Sequence, residues 1–259
     1  MAGHSAWKNI KHKKAAADKK RGKIWSKCSR AILSAARHGG GDPKFNATLR
    51  YAVDEAKAAN MPKDTIEKLI KKATGSDSDA ASFTHVRYEG YAPGGVAVIA
   101  DCLTDNVQRT APVMRLIFEK AGGNLAKPGS VSFGFAQKGL ILIEHDKVSE
   151  DRLMEIAIDA GAEDVVASGG NTQSSALSPQ SSRGWEVTTE PAQFLTVKEA
   201  LESAGIPLVS AEILFVPSTT VALDAIAAAK VLRLVEALEE EDDVQKVYTN
   251  AELPDEVLA

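Results

Sequence analysis

The residues of this chain with the clearest chemical potential are cations near its N-terminal end. Residues 1–75 hold 18 Lys and Arg against 6 Asp and Glu, while the remaining 184 residues hold 13 against 29. The formal net charge of -4 therefore combines a strongly basic region with a strongly acidic one. Ammonium and guanidinium groups at this density attract polyanions, and nucleic acid is the most concentrated polyanion in a cell.

The densest basic stretch is residues 1–30, with ten cations and a single acid, Asp18. Each cation could neutralise one phosphate, which would make binding strongly salt dependent. The alternative is a solvated basic tail, but positive side chains continue in register along the helix that follows. We therefore predict a nucleic-acid site made of Lys8, Lys11, His12, Lys13, Lys14, Lys19, Lys20, Arg21, Lys23, Lys27, Arg30 and Arg37.

Other chemistry has little support in the sequence. His4 and His12 have no thiols or carboxylates at ligand spacing, and Cys28 and Cys102 are far apart. We find no nucleophile arrangement and no nucleotide fingerprint, so we predict no metal, no cofactor and no enzyme activity.

One aromatic residue, Trp7, lies within the basic arm. Its ring could stack on an unpaired base, or it could anchor the arm in an apolar groove as Trp25 does in the predicted bundle. A single aromatic residue makes a poor stacking platform, so we favour the anchor.

Three helices should position these cations. From Lys23 onward, Ile24, Trp25, Cys28, Ile32 and Ala36 share one helical face, and Lys23, Lys27, Arg30, Ser34 and Arg37 share the opposite face. Gly39–Gly41 should end this helix. Further helices are predicted over residues 46–59 and from Pro62 to about Thr74, followed by a polar linker over residues 75–82.

The second and third helices could form a helix-turn-helix around the joint at residues 59–62. The exposed face of the third helix offers Lys63, Thr65, Lys68, Lys71 and Lys72. These side chains suit phosphates better than base edges, which favours a structural bundle with some phosphate contact.

Beyond the linker the pattern changes to alternating strands and helices. Strands are predicted at residues 84–88, 96–103, 130–135, 140–145, 164–168, 185–189, 209–215 and 244–249, and helices at 106–121, 149–160, 191–204 and 223–240. Residues 140–215 follow the order of a ferredoxin-like unit, with a long hairpin loop over 171–182. The predicted fold is α+β: an N-terminal three-helix bundle and two ferredoxin-like α/β domains, the third inserted in the second. The predicted domains are 1–80, 81–130 plus 218–259, and 131–217.

Two further segments have local interpretations. Residues 104–106 should cap the next helix, with Gln108 reaching back to Asp105, and Arg109 could bind a ligand or form a surface ion pair. The acidic run at residues 239–243 opposes the macrodipole at the end of the last helix, so we expect fraying and a solvated acidic face.

The chain contains no apolar run of membrane-spanning length and no apolar centre of a secretory signal. We therefore expect a cytoplasmic protein without a membrane partner. A monomer is favoured.

Several separate strings in this chain resemble the YebC family of probable transcriptional regulatory proteins, whose mitochondrial relatives are translational activators of cytochrome c oxidase. They are MAGHSAWKNIKH (1–12), RGK (21–23), GGGDP (39–43), AANMPKD (58–64), YEGY (88–91), LTDN (103–106), DAGAED (159–164) and DDVQ (242–245). The resemblance spans nearly the whole chain. It implies a helical N-terminal domain followed by two α/β domains, a cytoplasmic location and nucleic-acid binding.

The resemblance and the residues together favour a DNA-binding transcriptional regulator. A ribosome-associated translation factor that binds ribosomal RNA is the alternative, because both would use the same phosphate contacts. An enzyme acting on nucleic acid is a third and weaker hypothesis.

Overall fold

The structure, a computed structural model, describes residues 21–75, 82–168 and 184–254, together with Val257. Its helices are α1 (Arg21–Gly39), α2 (Ala47–Ala58), α3 (Lys63–Thr74), α4 (Val107–Lys120), α5 (Glu150–Asp159), α6 (Phe194–Ser203) and α7 (Ala225–Glu239). Its strands are β1 (Thr84–Ala92), β2 (Val96–Thr104), β3 (Asn124–Leu125), β4 (Phe135–Glu144), β5 (Asp164–Ser168), β6 (Gly184–Thr189), β7 (Leu208–Pro217), β8 (Val221–Ala222), β9 (Val244–Thr249) and β10 (Ala251–Glu252). The hairpin loop predicted at 171–182 lies outside the described residues.

The first three helices form a bundle around a small apolar core. That core contains Cys28, Ile32, Ala35 and Ala36 of α1, Leu49, Ala52, Val53 and Ala56 of α2, and Met61 and Ile66. The apolar face predicted for α1 is the face that packs, as the 3.6-residue period requires. The indole of Trp25 packs on this core and donates a hydrogen bond of 2.9 Å to the Ala59 carbonyl, which confirms its role as an anchor.

The described residues divide into two compact units. One is Phe133–Ala222, and the other joins the residues up to Ser132 with Leu223–Val257. The bundle therefore shares a unit with the first sheet. The three-part division at residues 80, 130 and 217 stays a prediction.

The first sheet has the strand order β3-β1-β2-β9, with antiparallel pairing throughout. Every residue of β2 is buried, as expected for a central strand with both faces covered. Helices α4 and α7 pack on each other and on this sheet. Because β9 pairs with β2, the start of β9 and the end of α7 lie beside β2. In the sequence, β9 begins 140 residues after β2 ends.

The unit Phe133–Ala222 contains an antiparallel sheet of order β5-β6-β4-β7 with helices α5 and α6. The sequence order of its elements, β4-α5-β5-β6-α6-β7, is that of the ferredoxin-like arrangement. The predicted α+β class, with N-terminal helices followed by sheet domains, is confirmed.

The strand predicted at residues 130–135 is wrong. Ser132–Gly134 form a 3-10 turn, and the strand β4 starts only at Phe135. The preceding loop is instead fixed by the buried Glu89 carboxylate, which accepts hydrogen bonds from the backbone N–H groups of Gly129, Val131 and Ser132. Backbone donors used in this way are not available for a sheet ladder.

None of the described helices is both long enough and apolar enough to cross a membrane.

Candidate nucleic-acid interface

Most of the predicted site lies in the arm. Lys8, Lys11, His12, Lys13, Lys14, Lys19 and Lys20 are outside the described residues, as is the side chain of Arg21. The structure describes Lys23, Lys27, Arg30 and Arg37, all of which α1 carries.

Three of these four cations contact the end of α7 or the turn that follows it. The Lys23 ammonium donates to the Glu240 carbonyl at 2.5 Å, and the Lys27 ammonium donates to the Glu239 carbonyl at 3.0 Å. The Arg30 guanidinium donates to the Asp242 carbonyl. The last carbonyls of a helix have no partner inside the helix and carry its negative dipole end, so cations are the groups that stabilise them. Burial lowers the pKa of Lys27, against the opposing charge of Glu239.

The expectation of a solvated acidic face at residues 239–243 is corrected in part. Glu240 and Asp242 are exposed, but Asp243 is buried, and backbone carbonyls of the run accept hydrogen bonds from the cations of α1. Helix α7 continues to Glu239, and the Glu240 N–H still donates to the Glu236 carbonyl at 2.9 Å. Glu239–Asp243 lie against the cationic face of α1, whose side chains offset the unfavourable position of these acids at a helix C-terminus.

Asp243 is the most deeply buried acid of that run, with 9% of the residue exposed. One carboxylate oxygen accepts from Arg30 at 2.9 Å. The other accepts from the hydroxyls of Thr110 at 2.7 Å and Thr104 at 3.1 Å, and from Arg109 at 3.2 Å. Burial alone would raise the pKa of Asp243, but the bonds from Thr110, Arg109 and Thr104 and the charge of Arg30 hold that pKa below its usual range.

Arg109 is thus part of an ion-pair cluster, since it also contacts Asp105 at 2.7 Å. The helix cap at residues 104–106 is confirmed, but its capping side chain is Asn106, which accepts from the Arg109 N–H at 3.0 Å. The predicted pairing of Asp105 with Gln108 would make Asp105 the cap and start the helix at Asn106. The helix α4 starts one residue later, at Val107.

A second ion pair joins the bundle to the sheet. The Lys246 ammonium of β9 contacts the Glu55 carboxylate of α2 at 2.6 Å and the Tyr51 hydroxyl at 3.0 Å. Together with the Asp243 cluster, it fixes the bundle on β9. Lys23, Lys27 and Arg30 therefore have contacts within the protein, with Lys23 still exposed. Their predicted contact with nucleic acid stays a prediction.

A different set of cations faces solvent. Arg37 and His38 at the end of α1, Lys44 in the following loop, and Lys68, Lys71 and Lys72 on α3 are all exposed. None of the four lysines forms a salt bridge with a carboxylate of the described residues. The side chains predicted to suit phosphates on the third helix are thus available to solvent.

Sequence reasoning passed over one residue within this exposed set. Phe45, next to Lys44, is 89% exposed, the largest exposed fraction among the exposed large apolar side chains of the described residues. An apolar side chain directly before a helix cap normally packs on the residue four positions into the helix. Here that residue is the charged Arg50, and this mismatch is the sequence signal for an exposed Phe45.

Within the described part of the chain, no group of three or more His, Cys, Asp or Glu side chains is placed to hold a metal ion. Cys28 and Cys102 are both buried, unpaired thiols.

Comparison with known proteins gives the class of this chain. A model of the TACO1/YebC N-terminal domain matches residues 5–76, and a model of the TACO1/YebC second and third domain matches residues 83–251. These two matches cover the bundle and both four-stranded sheets. The chain belongs to the TACO1/YebC family.

Its curated relatives are similar along their whole length. A probable transcriptional regulatory protein of Rubrobacter xylanophilus is 50% identical over 259 residues, covering 100% of this chain and 98% of the relative. Another, from Treponema pallidum, is 48% identical over 258 residues and 100% of both chains. The crystal structure of a conserved hypothetical protein from Aquifex aeolicus is 44% identical, covers 93% of each chain and superposes with a TM-score of 0.76.

Proposed function

We propose that this protein is a regulatory protein that binds nucleic acid through its basic N-terminal domain. The observation that carries the proposal is the concentration of exposed, unpaired lysines on that domain: Lys44, Lys68, Lys71 and Lys72, in a segment with 18 cations and 6 acids. The rest of the chain, with 13 cations and 29 acids, would repel a polyanion and so confine it to the bundle.

In the proposed complex, the arm residues and Arg37 extend the phosphate contacts of the exposed lysines. Lys23, Lys27 and Arg30 hold the bundle on the sheet and so fix the direction in which this surface faces. DNA is the proposed target, and transcription the regulated process, because the curated relatives are named probable transcriptional regulatory proteins.

A ribosome-associated translation factor is the second candidate. The observation that favours it is the exposed face of α3, where Lys63, Lys68, Lys71 and Lys72 suit phosphates and no Arg, Asn or Gln is available to read base edges. Such a surface fits a folded RNA as well as it fits DNA.

Two measurements on the same cells test the proposal. Crosslinking followed by DNA sequencing should enrich promoter fragments, and sedimentation of the lysate with and without nuclease should show whether the protein moves with ribosomal subunits. Promoter enrichment without subunit co-migration supports the DNA target. Stable co-migration without promoter enrichment replaces it with ribosomal RNA, and the absence of both results overturns nucleic-acid binding.

A further inference from the structure

Among the described residues, Phe45 does not take part in the packing of the bundle. It directly precedes Asn46, the cap of α2, and an apolar residue at this position usually packs on the residue four positions into the helix. That residue here is Arg50, and Phe45 remains 89% exposed. An aromatic ring left in water without a packing partner is a candidate for contact with a ligand.

The loop that carries Phe45 is held rigidly. The Asn46 side chain is buried, its amide donates to the carbonyls of Ala35 and Gly40 at 2.8 Å each, and its oxygen accepts from the Leu49 N–H at 3.0 Å. The Asp42 carbonyl accepts from the N–H groups of Phe45 and Asn46 at 3.1 Å.

Three glycines allow this loop to pack so closely. A Cβ atom on Gly39 would lie 2.5 Å from the Asn46 amide nitrogen, and one on Gly41 would lie 2.9 Å from the Thr74 methyl group of α3. Gly40 has a φ of 86°, in the left-handed region. The backbone that carries Phe45 is therefore held in place, which lowers the entropic cost of ordering this loop on binding.

Cations lie on the three segments that meet at this loop: the end of α1, the loop itself and the end of α3. Lys44 precedes Phe45, and Arg37 and His38 lie in the last turn of α1, which ends at Gly39 just before the loop. Gly41 packs on Thr74, which follows Lys71 and Lys72 in the last turn of α3. The one acid of the loop, Asp42, is engaged with the Lys44 N–H at 2.9 Å.

We infer that this end of the bundle, with the ring of Phe45 and the cations of the adjoining segments, binds an unpaired nucleotide of RNA. Those cations are Arg37, Lys44, Lys71 and Lys72. The base stacks on the ring and the neighbouring phosphates contact the cations, which is how single-stranded nucleic acid is commonly bound. We assign the nucleotide to RNA because folded RNA holds unpaired bases next to double-stranded segments, whereas cellular DNA is double-stranded for most of the time. The inference rests on the proposed binding of nucleic acid by the basic domain and, because it names RNA, on the second of the two candidate targets.

The test compares full-length variants in binding to a labelled RNA hairpin with an unpaired loop and to a fully paired RNA of the same length. Phe45→Ala should weaken binding to the hairpin ~5- to 100-fold and leave binding to the paired RNA unchanged, since base stacking on one aromatic residue accounts for about that factor. Phe45→Leu should resemble Phe45→Ala, and Phe45→Trp should bind as the unaltered protein does. The added tryptophan should lose fluorescence when RNA is bound.

Phe133→Ala is the matched control, because Phe133 is 84% exposed and belongs to the other compact unit. Equal affinities for Phe45→Ala and Phe133→Ala overturn the inference, as does full affinity in Phe45→Leu, which would indicate an apolar partner instead of a base. The inference is also overturned if Phe45→Ala weakens binding to single-stranded DNA of the same sequence but not to the RNA hairpin. If stacking fails in these ways while Lys68→Ala, Lys71→Ala and Lys72→Ala still weaken binding, the proposed function stands without the stacking site.

Discussion

Arg30 of α1 donates a hydrogen bond of 2.9 Å to Asp243, a residue 213 positions later in the chain. The contact joins the basic segment to the acidic one and explains how two regions of opposite charge coexist in one compact unit. The same guanidinium also donates to the Asp242 carbonyl, so it binds the turn after α7 through the backbone as well as through the Asp243 carboxylate. The positive charge of Arg30 therefore stabilises the contact between the bundle and the sheet.

Replacing Asp243 by Asn should destabilise the protein by about 2–4 kcal/mol, because Arg30, Thr104 and Thr110 would lose a charged acceptor in a nearly buried site. Urea unfolding followed by circular dichroism measures this free energy. Asp242→Asn is the control, since the side chain of Asp242 is exposed and Arg30 contacts its backbone carbonyl.

The cost of Asp243→Asn should also depend on pH. A carboxyl group whose pKa is lowered in the folded state stabilises that state above its unfolded pKa, near 4, and this contribution disappears as the pH falls through the folded pKa. The difference between the unaltered protein and Asp243→Asn should therefore shrink as the pH falls below about 4. A difference that is constant with pH would show that the charge of Asp243 has no part in stability.

Replacing Glu89 by Gln should destabilise the protein by about 2–3 kcal/mol, because three backbone N–H groups share its carboxylate at 2.8–2.9 Å. Burial would raise the pKa of Glu89, but the N–H donors of Val131, Gly129 and Ser132 hold it below its usual range. In Glu89→Gln, the rate of amide hydrogen exchange should increase most at these three N–H groups. Glu119→Gln, an exposed change on α4, should leave both the exchange and the stability unaltered.

The two thiols should be unreactive in the folded protein. Burial raises the pKa of Cys28 to about 11, with the charge of Glu55 adding to the effect, and burial with Asp101 and Asp243 raises that of Cys102 to about 12. At about pH 8 almost no thiolate is present to react. Iodoacetamide followed by mass spectrometry should label neither cysteine in the native protein and both in denaturant. Rapid native labelling of either cysteine would contradict the packing described for α1 or β2.

The sequence predicts the apolar face of α1 well because helical periodicity is a local property, and Cys28, Ile32 and Ala36 are buried as expected. It does not reveal the partners of the opposite face. Lys27 and Arg30 meet residues 212 positions away, and no local pattern connects a lysine in the first helix with carbonyls at the end of the last. The exposure of Phe45 has a similar origin, since it depends on the path of the loop and on Arg50 at the packing position.

The separation between packed and exposed cations leads to a prediction with opposite outcomes for two sets of variants. Lys68→Ala, Lys71→Ala and Lys72→Ala remove exposed lysines without salt bridges, so in combination they should leave the free energy of unfolding within about 0.5 kcal/mol of its original value. If these lysines contact phosphates, the slope of log affinity against log salt should fall by about 0.9 for each contact with duplex DNA. Arg30→Ala should instead lower the stability and leave that slope unchanged, because its guanidinium is engaged by Asp242 and Asp243.

Fluorescence anisotropy over a series of salt concentrations, with urea unfolding on the same preparations, separates the two sets. The matched control replaces three exposed lysines outside the bundle, Lys120, Lys127 and Lys230, and should change neither quantity. An equal fall in slope for the control would mean that binding follows net charge alone, with no defined surface. A fall in slope for Arg30→Ala at unchanged stability would mean that the contact with Asp243 opens when nucleic acid binds, since only a released guanidinium can replace a phosphate counterion.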